Sequence, residues 1–203
     1  MKIFAIGRNY AAHAAELKND LPTEPVVFMK PDTALVKNNA DFYLPDFSTD
    51  IHHEIEIVLK VCKEGKNIAP EFAHRYWDEL AIGIDFTARD LQQKLKSQGL
   101  PWELSKSFDN SAPISEFVPK TDFPNPDLQH FHLDVNGERR QTGDTSTLIF
   151  NYSTIITFLS RYFTLKKGDL IYTGTPAGVA AVKAGDRLQG YLEGKEMINF
   201  LVK

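Results

Sequence analysis

His52-His53-Glu54-Ile55-Glu56-Ile57-Val58-Leu59-Lys60-Val61 is the stretch whose reading decides the rest of this chain. Ile55, Ile57, Leu59 and Val61 recur at every second position, the period of a β-strand with one face buried. The opposite face begins with His52, Glu54 and Glu56 and turns apolar at Val58. Residues two apart on a strand point the same way, so the two carboxylates repel each other. Either a cation lies between them or they stand in water. A solvent-facing edge is the commoner use of a lone Glu-x-Glu. This strand, however, runs on into apolar sequence, where a carboxylate pair is costly unless neutralised. Hard oxygen ligands of this kind select Mg²⁺, Mn²⁺ or Ca²⁺ over zinc.

Working outward, Lys2 to Ile6 reads as a buried strand closed by Gly7. An Ala-rich helix follows, with Asn9 as its N-cap and Asn19-Asp20 as its end. Val26 to Lys30 is a strand stopped by Pro31. Pro70 opens a predicted helix through Trp77, Leu80 to Phe86 is a strand, and Thr87 caps a helix that ends before Gly99 and Pro101. The second half is mostly β, with Asn136-Gly137 as the strongest hairpin signal and a second turn at Glu193-Gly194-Lys195. Between them a helix spans Thr154 to Phe163, and Leu170 to Tyr172 is a strand. No repeat, linker or low-complexity tract divides the chain, so residues 1–203 are expected to form one α+β, β-rich domain.

The 203 residues carry a formal net charge of -4, which argues against a nucleic-acid footprint. Cys62 is the sole cysteine, which excludes an intrachain disulfide and fits a reducing compartment. The apolar run at the start is too short for a signal peptide, and no stretch suits a bilayer crossing. The expectation is a cytoplasmic protein with neither membrane nor nucleic acid as partner.

Asp85 ends a strongly apolar strand just before a helix start, and as a third carboxylate it would complete a Glu54, Glu56, Asp85 set. Arg89 and Gln92, three apart on the following helix, share a face that could reach a substrate carboxylate. His13 and Glu16 are also three apart, the spacing of a dyad in which a carboxylate orients an imidazole base. A surface helix pair satisfies the same spacing. Thr173-Gly174-Thr175-Pro176-Ala177-Gly178 could bind an anion through backbone N–H groups, or serve only as a tight turn.

Taken together, these blocks resemble the fumarylacetoacetate hydrolase superfamily in its small single-domain branch. The matching text is Gly7-Arg8-Asn9-Tyr10 with His13 and Glu16, Phe28-Met29-Lys30-Pro31, and His53-Glu54-Ile55-Glu56. It continues through Asp85-Phe86-Thr87-Ala88-Arg89-Asp90-Leu91-Gln92, Gly99-Leu100-Pro101-Trp102, Lys106-Ser107-Phe108-Asp109 and Thr173 to Val179. The resemblance implies a mixed β-sandwich roll, a homodimer, and Mg²⁺ or Mn²⁺ held by Glu54, Glu56 and Asp85, with Ca²⁺ as a non-native occupant. It implies further that His13 and Glu16 sit on a lid as the catalytic dyad, completed by Lys106. Arg89, Gln92, Thr175 and Lys30 would contact substrate. Three places depart from or vary within the pattern: Cys62 where a glycine is common, Ala180 after Val179, and Asn110 to Ala112 where a cysteine is common.

The acylpyruvase and oxaloacetate decarboxylase type is the nearest match. A 2-oxo acid would chelate the metal, and cleavage beyond C3, or loss of CO₂ from oxaloacetate, would leave an enolate that the metal stabilises. His13, oriented by Glu16, would activate water in the hydrolytic case. Two alternatives stand beside this: an isomerase or hydratase of 2-hydroxy-dienoate or 2-oxo-enoate diacids, and a catalytically silent metal-binding domain.

Overall fold

The glutamate stretch is two strands rather than one. In the computed structural model, which describes residues 1–17 and 20–203, it divides at Glu54 into Ile51–His53 and Ile55–Val61. The break arises because the two halves join different sheets. Ile51–His53 pairs with Ala180–Ala181 and Thr87–Ala88, whereas Ile55–Val61 lies between Leu170–Tyr172 and Trp77–Ile84.

That second pairing sits in the middle of a mixed sheet ordered Val26–Lys30, Ile3–Gly7, Leu170–Tyr172, Ile55–Val61, Trp77–Ile84, Val118–Pro119. Only Ile3–Gly7 with Leu170–Tyr172 runs parallel in it. Both faces of the central strand are buried, not one. Ile55, Ile57, Leu59 and Val61 enter a core shared with Phe131, Leu133, Leu188 and Phe200. Val58 packs on the other side with Ile3, Ala5, Ala81 and Tyr172. Each fully buried isoleucine there contributes about 1.5–3 kcal/mol of transfer free energy. Tyr172 lies so close over Gly83 that a Cβ there would stand 2.4 Å from its ring, which is why the strand carries a glycine.

The facing layer is a four-stranded antiparallel sheet ordered Glu138–Asp144, His130–Val135, Arg187–Leu192, Lys195–Leu201. Asn136 and Gly137 close its first hairpin at φ 54 and 79, the left-handed pair that a type I′ turn requires. Glu193 and Gly194 close the second at φ 48 and 77. The β-rich mixed architecture thus follows the sequence reading.

Among the described residues four α-helices decorate the sheets: α1 (Ala11–Glu16), α2 (Arg89–Ser97), α3 (Glu103–Lys106) and α4 (Tyr152–Tyr162). Helix α4 starts two residues before the predicted Thr154, because Asn151 caps it by accepting from the Thr154 N–H at 2.9 Å. The helix predicted from Pro70 is a 3₁₀ segment, Pro70–Arg75, and Trp77 already opens the strand Trp77–Ile84. Burial decides it: Trp77 pairs with Val61 across the sheet and meets Tyr152 edge-on at 5.5 Å. The first helix ends at Glu16, short of the predicted Asn19-Asp20, of which Asn19 lies outside the described residues.

Two predicted caps are used differently. Thr87 does not cap α2, whose N-cap is Ala88; its hydroxyl instead accepts from Lys106 and donates to the Asp85 carbonyl. Asn9 turns inward rather than capping α1. Its Nδ2 donates to the carbonyls of Phe150 and Thr173 at 2.9 and 2.8 Å, and its Oδ1 accepts from the Phe150 N–H at 2.7 Å. One fully buried amide thereby ties the start of α1 to two distant segments. Replacing it orphans three backbone groups, so Asn9→Ala should destabilise the fold by on the order of 3 kcal/mol. Urea unfolding measures this, and a loss under about 1 kcal/mol would mean that water replaces the amide.

Candidate metal centre and active site

Sheet geometry alone brings three carboxylates together. Ile55 pairs with Ile84, so the residues just outside that pair, Glu54 and Asp85, meet across the ladder end, where the Asp85 N–H donates to the Glu54 carbonyl at 2.8 Å. Glu56, two residues along, falls on the same face. One oxygen from each of Glu54, Glu56 and Asp85 lies within 4.8 Å of the other two, and all three residues are buried. Among the described residues this is the one such grouping of three or more potential metal ligands.

Like charges so placed must be offset, and three cations converge on them. Lys106, the last residue of α3, puts Nζ 2.7 Å from Glu54, 2.6 Å from Asp85 and 2.5 Å from the Thr87 hydroxyl. Arg89, the first residue of α2, donates through one nitrogen to Glu54 at 2.5 Å and through the other to Gln92 at 2.6 Å. Lys30 approaches Asp85 Oδ1 to 2.8 Å, within ion-pair reach but out of line for a hydrogen bond, so that oxygen has no hydrogen-bond donor.

The titration directions record this balance. Burial pushes the Glu54 carboxyl up, but Lys106 and Arg89 outweigh it and hold the group well below the usual carboxylate range. Glu56 has no such partner. Burial, then Asp85, pushes it well above the usual range against one hydrogen bond from the Gly174 N–H at 2.7 Å. Burial alone would lower Lys106, yet Asp85 and Glu54 keep its ammonium above the ordinary value. For Lys30 burial wins and the value falls.

The donor set fits a hard divalent cation: three converging carboxylates with no nitrogen or sulfur ligand, one oxygen lacking a hydrogen-bond donor and one carboxyl short of positive neighbours. Neither neighbouring histidine points there by its bonds. His52 Nε2 lies 2.9 Å from Asp50, and His53 Nδ1 lies 2.9 Å from Gln141 Oε1.

Above the carboxylates is a narrow cavity partly open to solvent. Its wall includes His13, Glu54, Glu56, Asp85, Arg89, Gln92, Lys106 and Thr175, so residues far apart in sequence share one chamber. Glu16 is half-exposed and backs His13, with Oε2 3.3 Å from Nδ1. The Gly178 N–H in turn donates to both Glu16 oxygens at 3.1 and 3.2 Å. With Nδ1 donating to Glu16, Nε2 is the nitrogen left to accept a proton. Lys30 does not line the cavity in this structure. Its covered ammonium lies behind Asp85, held by Ser111 Oγ at 2.9 Å and the Lys106 carbonyl.

Sequence reasoning missed Gln141. Its Oε1 accepts from Ile55 N–H, and its Nε2 donates to Thr175 Oγ1 at 2.8 Å and to the Pro176 carbonyl. A lone glutamine in a polar strand carries no signal of that role. Arg8, Lys96 and Trp102 also line the cavity, and Arg8 and Trp102 lay within the matched blocks without a role.

The fumarylacetoacetate (FAA) hydrolase C-terminal family profile matches residues 2–201. The mitochondrial oxaloacetate tautomerase FAHD1 of Mus musculus is 42% identical over 99% of this chain and 91% of its own length. A fumarylpyruvate hydrolase from Pseudomonas aeruginosa, solved with Mn²⁺ and pyruvate, superposes with a TM-score of 0.94 at 38% identity, covering 100% of this chain and 89% of that one. A 5-carboxymethyl-2-hydroxymuconate delta-isomerase from Mycobacterium smegmatis superposes with a TM-score of 0.87 at 33% identity, covering 99% of this chain and 78% of that one. Matched along nearly all of its length, the chain belongs to the fumarylacetoacetate hydrolase family.

Proposed function

We propose that this chain is a divalent-metal-dependent enzyme that forms and discharges the enolate of a small 2-oxo acid, with decarboxylation or hydrolytic C–C cleavage as the outcome. The observation that carries the reading is the meeting of Glu54, Glu56 and Asp85 beneath a cavity that also holds His13 and Lys106. Glu54, Glu56 and Asp85 would hold Mg²⁺ or Mn²⁺, which when bound would supply Lewis-acid stabilisation for an enolate.

The chain's own groups do the rest. Arg89, locked by Glu54 and Gln92, presents its guanidinium edge toward a substrate carboxylate. Thr175, held by Gln141, offers a hydroxyl on the same wall. His13 takes or returns a proton at Nε2, and Glu16 stabilises the imidazolium so formed. For an acylpyruvate, that proton comes from the water that attacks the distal carbonyl. For oxaloacetate, CO₂ leaves and His13 returns a proton to C3. Lys106 keeps its ammonium beside the developing charge.

A second reading is favoured by the oxaloacetate tautomerase and delta-isomerase relatives, whose names describe proton shifts without bond cleavage. It uses the same carboxylates and the same imidazole. Following both enol absorbance and pyruvate release from oxaloacetate separates the two: keto–enol exchange without pyruvate would replace our first reading by this one.

Removing one carboxylate ligand tests the metal. Glu54→Gln should lower Mn²⁺-dependent turnover at least about a hundredfold and weaken Mn²⁺ binding measured by calorimetry. Turnover equal to wild type would sink the metal reading. His13→Ala should instead lose about 10²–10⁴ in kcat while its Mn²⁺ affinity stays close to that of wild type. Unchanged kcat on every 2-oxo acid would remove His13 from the chemistry.

A further inference from the structure

Arg8 lines the cavity apart from the cations that pair with Glu54 and Asp85, and Lys96 lines it as well. Among the described residues no carboxylate forms an ion pair with Arg8, and its Nε is buried without a hydrogen-bond partner. A guanidinium nitrogen so placed is unfavourable unless a ligand completes it.

Two features fix this arginine in place. Its backbone adopts φ 59, a left-handed conformation that a long side chain rarely takes and that functional sites often retain. Its guanidinium carbon lies 5.8 Å from the centre of the Trp102 ring, and Lys96 Nζ lies 5.6 Å from the same ring. The indole therefore gathers two cations on one side of the chamber. Burial, then the nearby charges of Arg8, Arg89 and Lys106, lowers the Lys96 ammonium.

We propose that Arg8, with Lys96 and Trp102 beside it, forms a second anion subsite that takes the distal carboxylate of a 2-oxo diacid. This rests on the 2-oxo acid reading above and narrows it to diacids. The head of such a substrate meets the Arg89 side of the cavity. Its far carboxylate meets Arg8, whose planar fork suits two parallel hydrogen bonds to a carboxylate. A 2-oxo acid with an apolar tail leaves the buried Nε of Arg8 unpaired, and that loss is what discriminates against it.

The test compares two uncleaved probes that share a 2-oxo acid head, 2-oxoglutarate and 2-oxovalerate, the second having a methyl in place of the far carboxylate. Calorimetric titration of the Mn²⁺-loaded protein should give at least about tenfold tighter binding of 2-oxoglutarate, and Arg8→Gln should shrink that ratio about tenfold. Arg8→Lys keeps the charge without the fork and should fall between. Raising ionic strength should narrow the wild-type ratio with no substitution at all. A ratio unchanged in Arg8→Gln, or equal weakening of both probes, would overturn the subsite while leaving the 2-oxo acid reading intact. Binding of neither probe by wild type would overturn that reading and the subsite with it.

Discussion

Three carboxylates buried within 4.8 Å of one another are the constraint to which the rest of this molecule answers. Two unit charges 4 Å apart repel by about 4 kcal/mol at an effective dielectric near 20, several times what one surface ion pair returns. The chain meets that cost with cations delivered by separate elements: Lys30 ends a strand, Arg89 opens α2 and Lys106 closes α3. The cluster therefore organises folding as well as chemistry, since each of those segments must dock before the charges balance. The balance is uneven. Glu54 and Asp85 receive the cations, while Glu56 receives one backbone N–H and remains hard to ionise.

Much of this was legible in the sequence for reasons that differ by element. Hairpins at Asn136-Gly137 and Glu193-Gly194 follow from local turn chemistry, which needs no tertiary information. The carboxylate set was marked by acidic residues at the ends of apolar strands, and the resemblance joined them. What failed were features decided by distant partners. Trp77 reads equally well as the end of a helix until Val61 and Tyr152 claim it for the sheet. Asn9 and Thr87 are good caps in isolation, but buried carbonyls and the Lys106 ammonium compete for their side chains and win. Lys30 stood in a matched block, and its block could not say whether it faces the cavity or the back of Asp85.

The break at Glu54 is the most instructive difference. Alternation predicts a continuous strand through Glu54, but the chain changes sheets there. The Ile55–Ile84 register extends one step further, so Asp85 is the regular partner of Glu54 and its N–H donates to the Glu54 carbonyl at 2.8 Å. The last rung of the six-stranded sheet thus sets the third carboxylate opposite the first, and beyond it Ile51–His53 turns to pair with Ala180–Ala181 and Thr87–Ala88.

One loop then couples the carboxylates to the acid–base helix. Gly174 gives its N–H to Glu56, Thr175 offers its hydroxyl to the cavity, and Gly178 gives its N–H to Glu16. Gly174 can be nothing larger, for its φ is 109 and a Cβ would lie 2.7 Å from that of Asn9. The same Asn9 binds the Thr173 carbonyl and leads directly into α1, which carries His13. The imidazole at position 13 is far in sequence from the carboxylates at 54, 56 and 85 and lies on a different element. Their relative position is nonetheless set through residues 173–178, so any movement of α1 toward or away from the cavity must be accommodated at Glu16 and Gly178.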